Sequence, residues 1–280
     1  MDERGLISEI EQDLRLAAST RRVVYLEGLT DVPILVALLG RPVDGVIPDE
    51  GTVVDGVLIR GLRDRSGSGC QAVRLRLEVA ARRGYGGIVG VVDGDGDNHD
   101  EPGRSFDEPF DGPLYTWPTY CIENLLAQAG WPDAWGAAPE WPAVLRDYAP
   151  YAALNRVIAW VQDRLASLGI LKFCRPQSDA PLKDADEIRA QLLADTVTSQ
   201  RLGDPAALFT EELARCHAAL DRRDLICAHA LINGKWLVDD LARRRTRRRG
   251  DALRDEWIAH VAKIGGHPAV KTWWQRLRAA

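Results

Sequence analysis

The sequence predicts an α/β protein, a mainly parallel sheet flanked by helices, followed by a C-terminal, mainly helical domain. Three observations carry this. Short β-branched runs alternate with helical patterns through residues 22–128, the arrangement that builds a parallel sheet with crossover helices. One of those runs, GGIVGVV (86–92), is apolar at every non-glycine position, as a strand buried on both faces must be. After residue 130 the strand signal stops and the segments read as helices. Composition shifts at the same place. Residues 1–130 hold 13 arginines, no lysine and 22 acidic residues, a net of −9, whereas residues 131–280 hold 23 basic and 19 acidic residues, a net of +4. Two domains are expected, 1–130 and 131–280.

Leu6, Ile7, Ile10, Leu14 and Leu16 recur at helical spacing and predict a leading helix over 4–20. The run 22–27 is a buried strand. Thr30 is the expected N-cap of the next helix, with Pro33 in its first turn and an end near Leu39. VVDGVLIR (53–60) is expected as one strand, DRSGSG (64–69) as a loop and QAVRLRLEVAARR (71–83) as a helix. The strand at 86–92 leads into an acidic loop to about residue 112, then a fourth strand, LYTW (114–117), and a helix opening at IENLL. Helices are expected at 141–169, 185–197, 206–221 and 234–245.

No apolar run approaches the roughly 20 residues a bilayer-spanning helix needs. The opening MDERGLISEIEQDL is acidic and amphipathic, so no secretory signal is expected. The five cysteines form no CxxC pair and read as reduced thiols of a cytoplasmic protein. Cys216, His217, Cys227 and His229 lack zinc-finger spacing. The loop at 64–69 lacks the GK[ST] of a phosphate-binding loop, and no nucleotide-hydrolysis motif is present.

The chemistry lies in carboxylates at strand ends, where parallel sheets gather their functional groups. EGLTD places Glu27 directly after the first strand and Asp31 at the start of the following helix. DGDGD (93–97) ends the third strand with Asp93, Asp95 and Asp97, which repel one another unless a cation sits among them. Hard oxygen ligands separated by glycines suit Mg²⁺ or Mn²⁺. An EF-hand loop is excluded because the sixth position is Asn98 and the twelfth is Arg104. Glu123, in YCIENLL, adds a carboxylate at the next helix start.

E-G-x-x-D after a first strand, then D-x-D after a later parallel strand, resembles the Toprim domain of topoisomerases, primases and nucleases. YCIENLL after the D-x-D strand and INGKWLVDDL downstream are similar to the branch around the OLD (overcoming lysogenization defect) nucleases and their small stand-alone relatives without an ATPase domain. The resemblance covers about residues 22–128, and the helical part only through INGKWL. It implies a Toprim-like sheet and a Mg²⁺- or Mn²⁺-dependent nuclease acting on DNA or RNA, several relatives of which defend against phage. By position, Glu27 becomes a metal ligand or general acid/base, Asp93 and Asp95 the principal metal ligands, and Asp31, Asp97 and Glu123 supporting ligands. The branch usually adds a lysine near the metals. With no lysine before residue 130, that charge falls to Arg65 or to Lys235 in NGK.

LARRRTRRRG concentrates Arg243, Arg244, Arg245, Arg247, Arg248 and Arg249. It reads either as a solvated helix end or as a phosphate-gripping surface. The tryptophans fall mostly at helical spacing and are core by default, with Trp273 and Trp274 open to covering a partner or stacking a base. The reading is a cytoplasmic, metal-dependent endonuclease, with control by an ATPase partner or self-association and no membrane attachment. Two rivals stay open: a non-catalytic metal-binding regulatory subunit, and a nucleotidyl-transfer or phosphomonoester enzyme.

Overall fold

The computed structural model describes residues 3–17, 22–62, 69–94, 106, 112–162, 176, 180–194, 205–221, 229, 231–248 and 250–279. The chain divides into two compact units: Met1–Gly94 with Arg104–Pro132 and Asp255–Ala280, and Asp95–Gly103 with Asp133–Arg254. The sheet unit thus recruits residues from 255 onward, beyond the helical segment that interrupts it.

Its five strands, β1 (Arg22–Leu26), β2 (Thr52–Val54), β3 (Val57–Gly61), β4 (Ile88–Val92) and β5 (Leu114–Thr116), lie in the order β2-β3-β1-β4-β5. β1 pairs in parallel with both β3 and β4, and β4 in parallel with β5. The segment expected as one strand is instead a hairpin. Asp55 and Gly56 both take positive φ (50° and 85°), so the chain reverses between Val54 and Val57 and β2 runs antiparallel to β3. An Asp-Gly pair between β-branched runs is the sequence that favours such a turn.

Helices α1 (Glu3–Leu16) and α3 (Gly69–Arg83) pack on each other and on β1. Leu6, Ile10, Val23, Tyr25, Leu58, Val73, Leu77 and Ile88 form this core. Within it, Asp13 is buried between the Tyr25 hydroxyl, which donates to it at 2.8 Å, and the Arg60 guanidinium. Burial raises the Asp13 carboxyl above its ordinary value, against the opposing pull of Arg60. Helix α2 (Asp31–Leu38) is apolar around nearly its whole circumference and packs against β3 and α4 (Ile122–Ala129). A helix apolar all round must be covered on all sides. Val32, Ile34, Leu35, Ala37 and Leu38 are accordingly at 0% exposure.

Residues 255–279 complete this unit through the helices α8 (Gly250–Lys263) and α9 (Pro268–Ala279). Trp273 lies 4.9 Å from Trp117 and 5.2 Å from Tyr115, ring centre to ring centre. The His267 N–H donates to Leu38 O at 2.7 Å, and the Arg22 guanidinium donates to Leu277 O. These tryptophans are core.

Among the described residues of the second unit, all the regular elements are helices. α5 (Trp141–Gln162) and α7 (Pro205–Asp221) pack along each other, and α6 (Ala185–Ala194) joins α7. A helical turn at Gly234–Trp236 continues as a π-helix over Leu237–Leu241 and an α-helix over Ala242–Thr246. Among the described residues no helix is long and apolar enough to cross a membrane.

Candidate metal centre

The site forms where β1 and β4, adjacent and parallel, end side by side. Glu27 follows β1 and Asp93 follows β4, so sheet register alone makes them neighbours. The Asp93 N–H donates to Glu27 Oε1 at 3.1 Å. The wall behind Glu27 is backbone. A Cβ on Gly69, at the first turn of α3, would stand 2.3 Å from Glu27 O, so only glycine lets α3 begin this close.

Helix α4 supplies the rest. Its first N–H, on Ile122, donates to Asp93 Oδ1 at 3.2 Å, and the positive end of the helix dipole favours a carboxylate there. Cys121 is the N-cap residue of α4, and Asn124 Oδ1 accepts from both the Cys121 N–H (3.0 Å) and the Cys121 thiol (3.4 Å). Glu123 is at 0% exposure, and neither of its carboxylate oxygens has a hydrogen-bond partner among the described residues. One ligand atom each from Asp93, Cys121 and Glu123 lie within 4.8 Å of one another. A buried carboxylate normally takes hydrogen bonds from its surroundings, and leaving one without costs several kcal/mol, by order of magnitude. A cation shared with Asp93 satisfies both requirements. The residues therefore fit a divalent ion: oxygen donors converge, one of them buried and otherwise unsatisfied.

Asp31 behaves differently. It is buried at the start of α2, and its carboxylate accepts the Gly28 N–H at 2.9 Å and the Thr30 hydroxyl at 3.3 Å. It fixes the turn that carries Glu27. Thr30 is the N-cap residue, as its position predicts, but makes no side-chain cap bond; the Asp31 carboxylate ties down the turn. Asp95, Asp97, Arg65 and Arg249 lie outside the described residues. Cys121 joins the cluster and is not among the ligands that the sequence predicts. Its signal was its place two residues before Glu123, at a helix start facing a strand-end aspartate.

Lys235 and the basic run belong to the helical unit. Lys235 is exposed and its N–H donates to the Asn233 side chain at 2.9 Å. With Asn233, Asp239, Asp240 and Arg243 it lines a cavity of about 320 Å³. Arg244 is engaged within the fold: Nε donates to Asp240 at 2.7 Å and Nη1 to Ala180 O at 2.6 Å. Arg243, Arg245, Arg247 and Arg248 are exposed. His229 is buried beside Trp141, ring centres 6.0 Å apart. Burial, with Glu212 adding to it, pushes the Cys216 thiol up to about 12, so that thiol is inert at neutral pH.

The fold and site together define an α/β protein with a mostly parallel sheet and a largely buried acid–thiol cluster at the carboxyl ends of its central strands. No protein-family model, curated protein or solved structure matches the chain.

Proposed function

We propose that the chain is a divalent-metal-dependent nuclease of Toprim-like design, akin to the OLD branch, hydrolysing phosphodiester bonds of DNA or RNA. The observation that carries this reading is the buried, unpartnered Glu123 carboxylate beside Asp93 at the end of β4. Asp93, Glu123 and Glu27 would hold the ion, with Asp95 and Asp97 from the same motif in support. When bound, a Mg²⁺ or Mn²⁺ ion supplies Lewis-acid polarisation of the phosphate and a lowered pKa for an attacking water. Glu27 is held against the end of β4 by the Asp93 N–H, the place from which it would serve the ion or take a proton. The Ile122 N–H fixes the Asp93 carboxylate through Oδ1 at the start of α4. Exposed arginines of the 243–248 run contribute sequence-independent phosphate contacts. The net charge of −9 over residues 1–130 makes the cation a condition for approaching a polyanion at all. A role against phage and control by a partner rest on the resemblance.

The test is cleavage of plasmid DNA and of total RNA with Mg²⁺, Mn²⁺ or chelator, comparing the wild type with Glu27→Gln and Asp93→Asn. Cleavage that needs the metal and falls by about 10²-fold or more in both variants supports the reading. Folded, metal-binding protein that cuts neither polymer overturns it.

A further inference from the structure

We infer that Cys121 is a metal ligand in its own right, and that the centre selects a sulfur-accepting first-row ion, of which Zn²⁺ and Co²⁺ are the probes, over Mg²⁺. The inference rests on the sheet edge being a metal centre and goes beyond it, because an all-carboxylate set would carry no such preference.

Three observations support it. The Cys121 Sγ lies in the same 4.8 Å cluster as oxygens of Asp93 and Glu123. Glu123, fully buried and unpartnered, directs its carboxylate into that cluster, so the thiol does not stand as an isolated cysteine. The thiol is also positioned. Cys121 is 1% exposed, and Asn124 Oδ1 accepts from both its N–H and its S–H, so the sulfur's place is set by the first turn of α4; metal binding replaces the S–H···Oδ1 bond with a metal–sulfur bond and releases the thiol proton to solvent. A buried cysteine with only a packing role needs neither anchor nor carboxylate neighbours. The chemistry of preference follows from the donor set. Sulfur contributes little to Mg²⁺, which demands oxygen octahedra, and much to Zn²⁺ or Co²⁺. Two carboxylates and one sulfur make a mixed oxygen–sulfur donor set, a kind that zinc accepts.

The experiment titrates the full chain with Co²⁺, following thiolate-to-cobalt charge-transfer absorption in the near ultraviolet, and measures Zn²⁺ and Mg²⁺ binding by calorimetry. Cys121→Ser and Glu123→Gln are compared with wild type. Serine keeps the N-cap position in a residue type favoured there, so the variant is expected to fold. Far-ultraviolet circular dichroism checks both variants. The expected result is one sulfur-ligated Co²⁺ per wild-type chain. In Cys121→Ser the band disappears and Co²⁺ and Zn²⁺ affinity falls about 10–100-fold, while Mg²⁺ affinity stays within about threefold. Glu123→Gln weakens all three ions. A wild-type cobalt spectrum without the sulfur band, or a band that survives Cys121→Ser, overturns the inference. These readouts need no polynucleotide, so the two proposals fail separately. Metal-dependent cleavage with a sulfur-free cobalt spectrum removes the thiol and leaves the nuclease. A sulfur band without cleavage does the reverse.

Discussion

Glu123 sets the terms at the scale of single residues. A buried carboxylate with no hydrogen-bond partner among the described residues is a cost to the fold, and replacing it with an amide of the same shape relieves part of that cost. Glu123→Gln is therefore expected to raise the melting temperature of the chelator-treated protein, by about 1–3 kcal/mol in stability, and to shrink the further rise caused by added metal. Differential scanning fluorimetry with and without divalent ions reads both effects. An unchanged metal response in this variant would place the ion elsewhere. His267 makes a second residue-scale prediction. Burial lowers its imidazole below the ordinary histidine value, and its Nδ1 accepts the Val270 N–H at 3.4 Å, which only the unprotonated nitrogen can do. Because the folded-state value is depressed, its contribution to stability is present above the unfolded histidine value of about 6.5 and is lost as pH falls through the folded one. Urea unfolding should thus show a loss of stability between pH 7.5 and acid pH that is smaller in His267→Gln, by up to ~1.4 kcal/mol per pH unit. Within the candidate site, the placement of Glu27, Asp93 and Glu123 was legible because strand-end and helix-start carboxylates are visible in one dimension. Cys121 was not, since its value depends on where the N-cap of α4 meets the end of β4. Asp31 looked like a ligand by motif, and its hydrogen bonds make it the brace of the Glu27 turn.

Individual elements show what the periodic pattern can and cannot convey. The strands β1 and β4 and the helices α1, α3 and α5 follow from runs of apolar residues at periods of two and 3.6. The 53–60 run misled because Asp55-Gly56 carries a turn signal inside what otherwise reads as continuous β-propensity. Turn chemistry outweighs propensity when both central residues must take positive φ. The approach of α3 to Glu27 is likewise invisible to periodicity, and it gives a clean prediction. Gly69→Ala puts a methyl 2.3 Å from the Glu27 carbonyl oxygen, well inside contact distance, so α3 must move or the turn must open. The expected outcome is a loss of about 1–3 kcal/mol, with metal affinity falling alongside stability. Gly84→Ala, at the end of the same helix, meets nothing within 4 Å, although its φ of +70° leaves backbone strain. It should therefore spare metal affinity, and calorimetric metal titration of the two variants separates the two causes.

At the scale of the whole molecule, the sheet unit is discontinuous in sequence. Composition places a break near residue 130 and groups everything after it, yet residues 255–279 pack with residues from before that point. The reason is amphipathic: Val270, Trp273, Trp274 and Leu277 form the buried face of α9, and Tyr115 and Trp117 offer the aromatic surface that Trp273 meets. Trp273→Ala should cost about 3–5 kcal/mol, as large aromatic truncations in a core do, and should unfold the sheet unit first. Hydrogen exchange showing protection lost in β4 and β5 ahead of α5 and α7 would establish that order. Uniform loss would instead mean the two units unfold as one.

The interruption also bears on synthesis. A ribosome releases β1 to β5 and then must make more than a hundred further residues before Trp273 exists to meet Trp117. Throughout that interval the aromatic surface around Trp117 has no partner from α9, and its closure waits on a contact of very long sequence separation. A chain cut short anywhere in the helical segment therefore leaves the sheet unit unfinished, and a message broken by damage or premature termination yields a sheet without its closing helix.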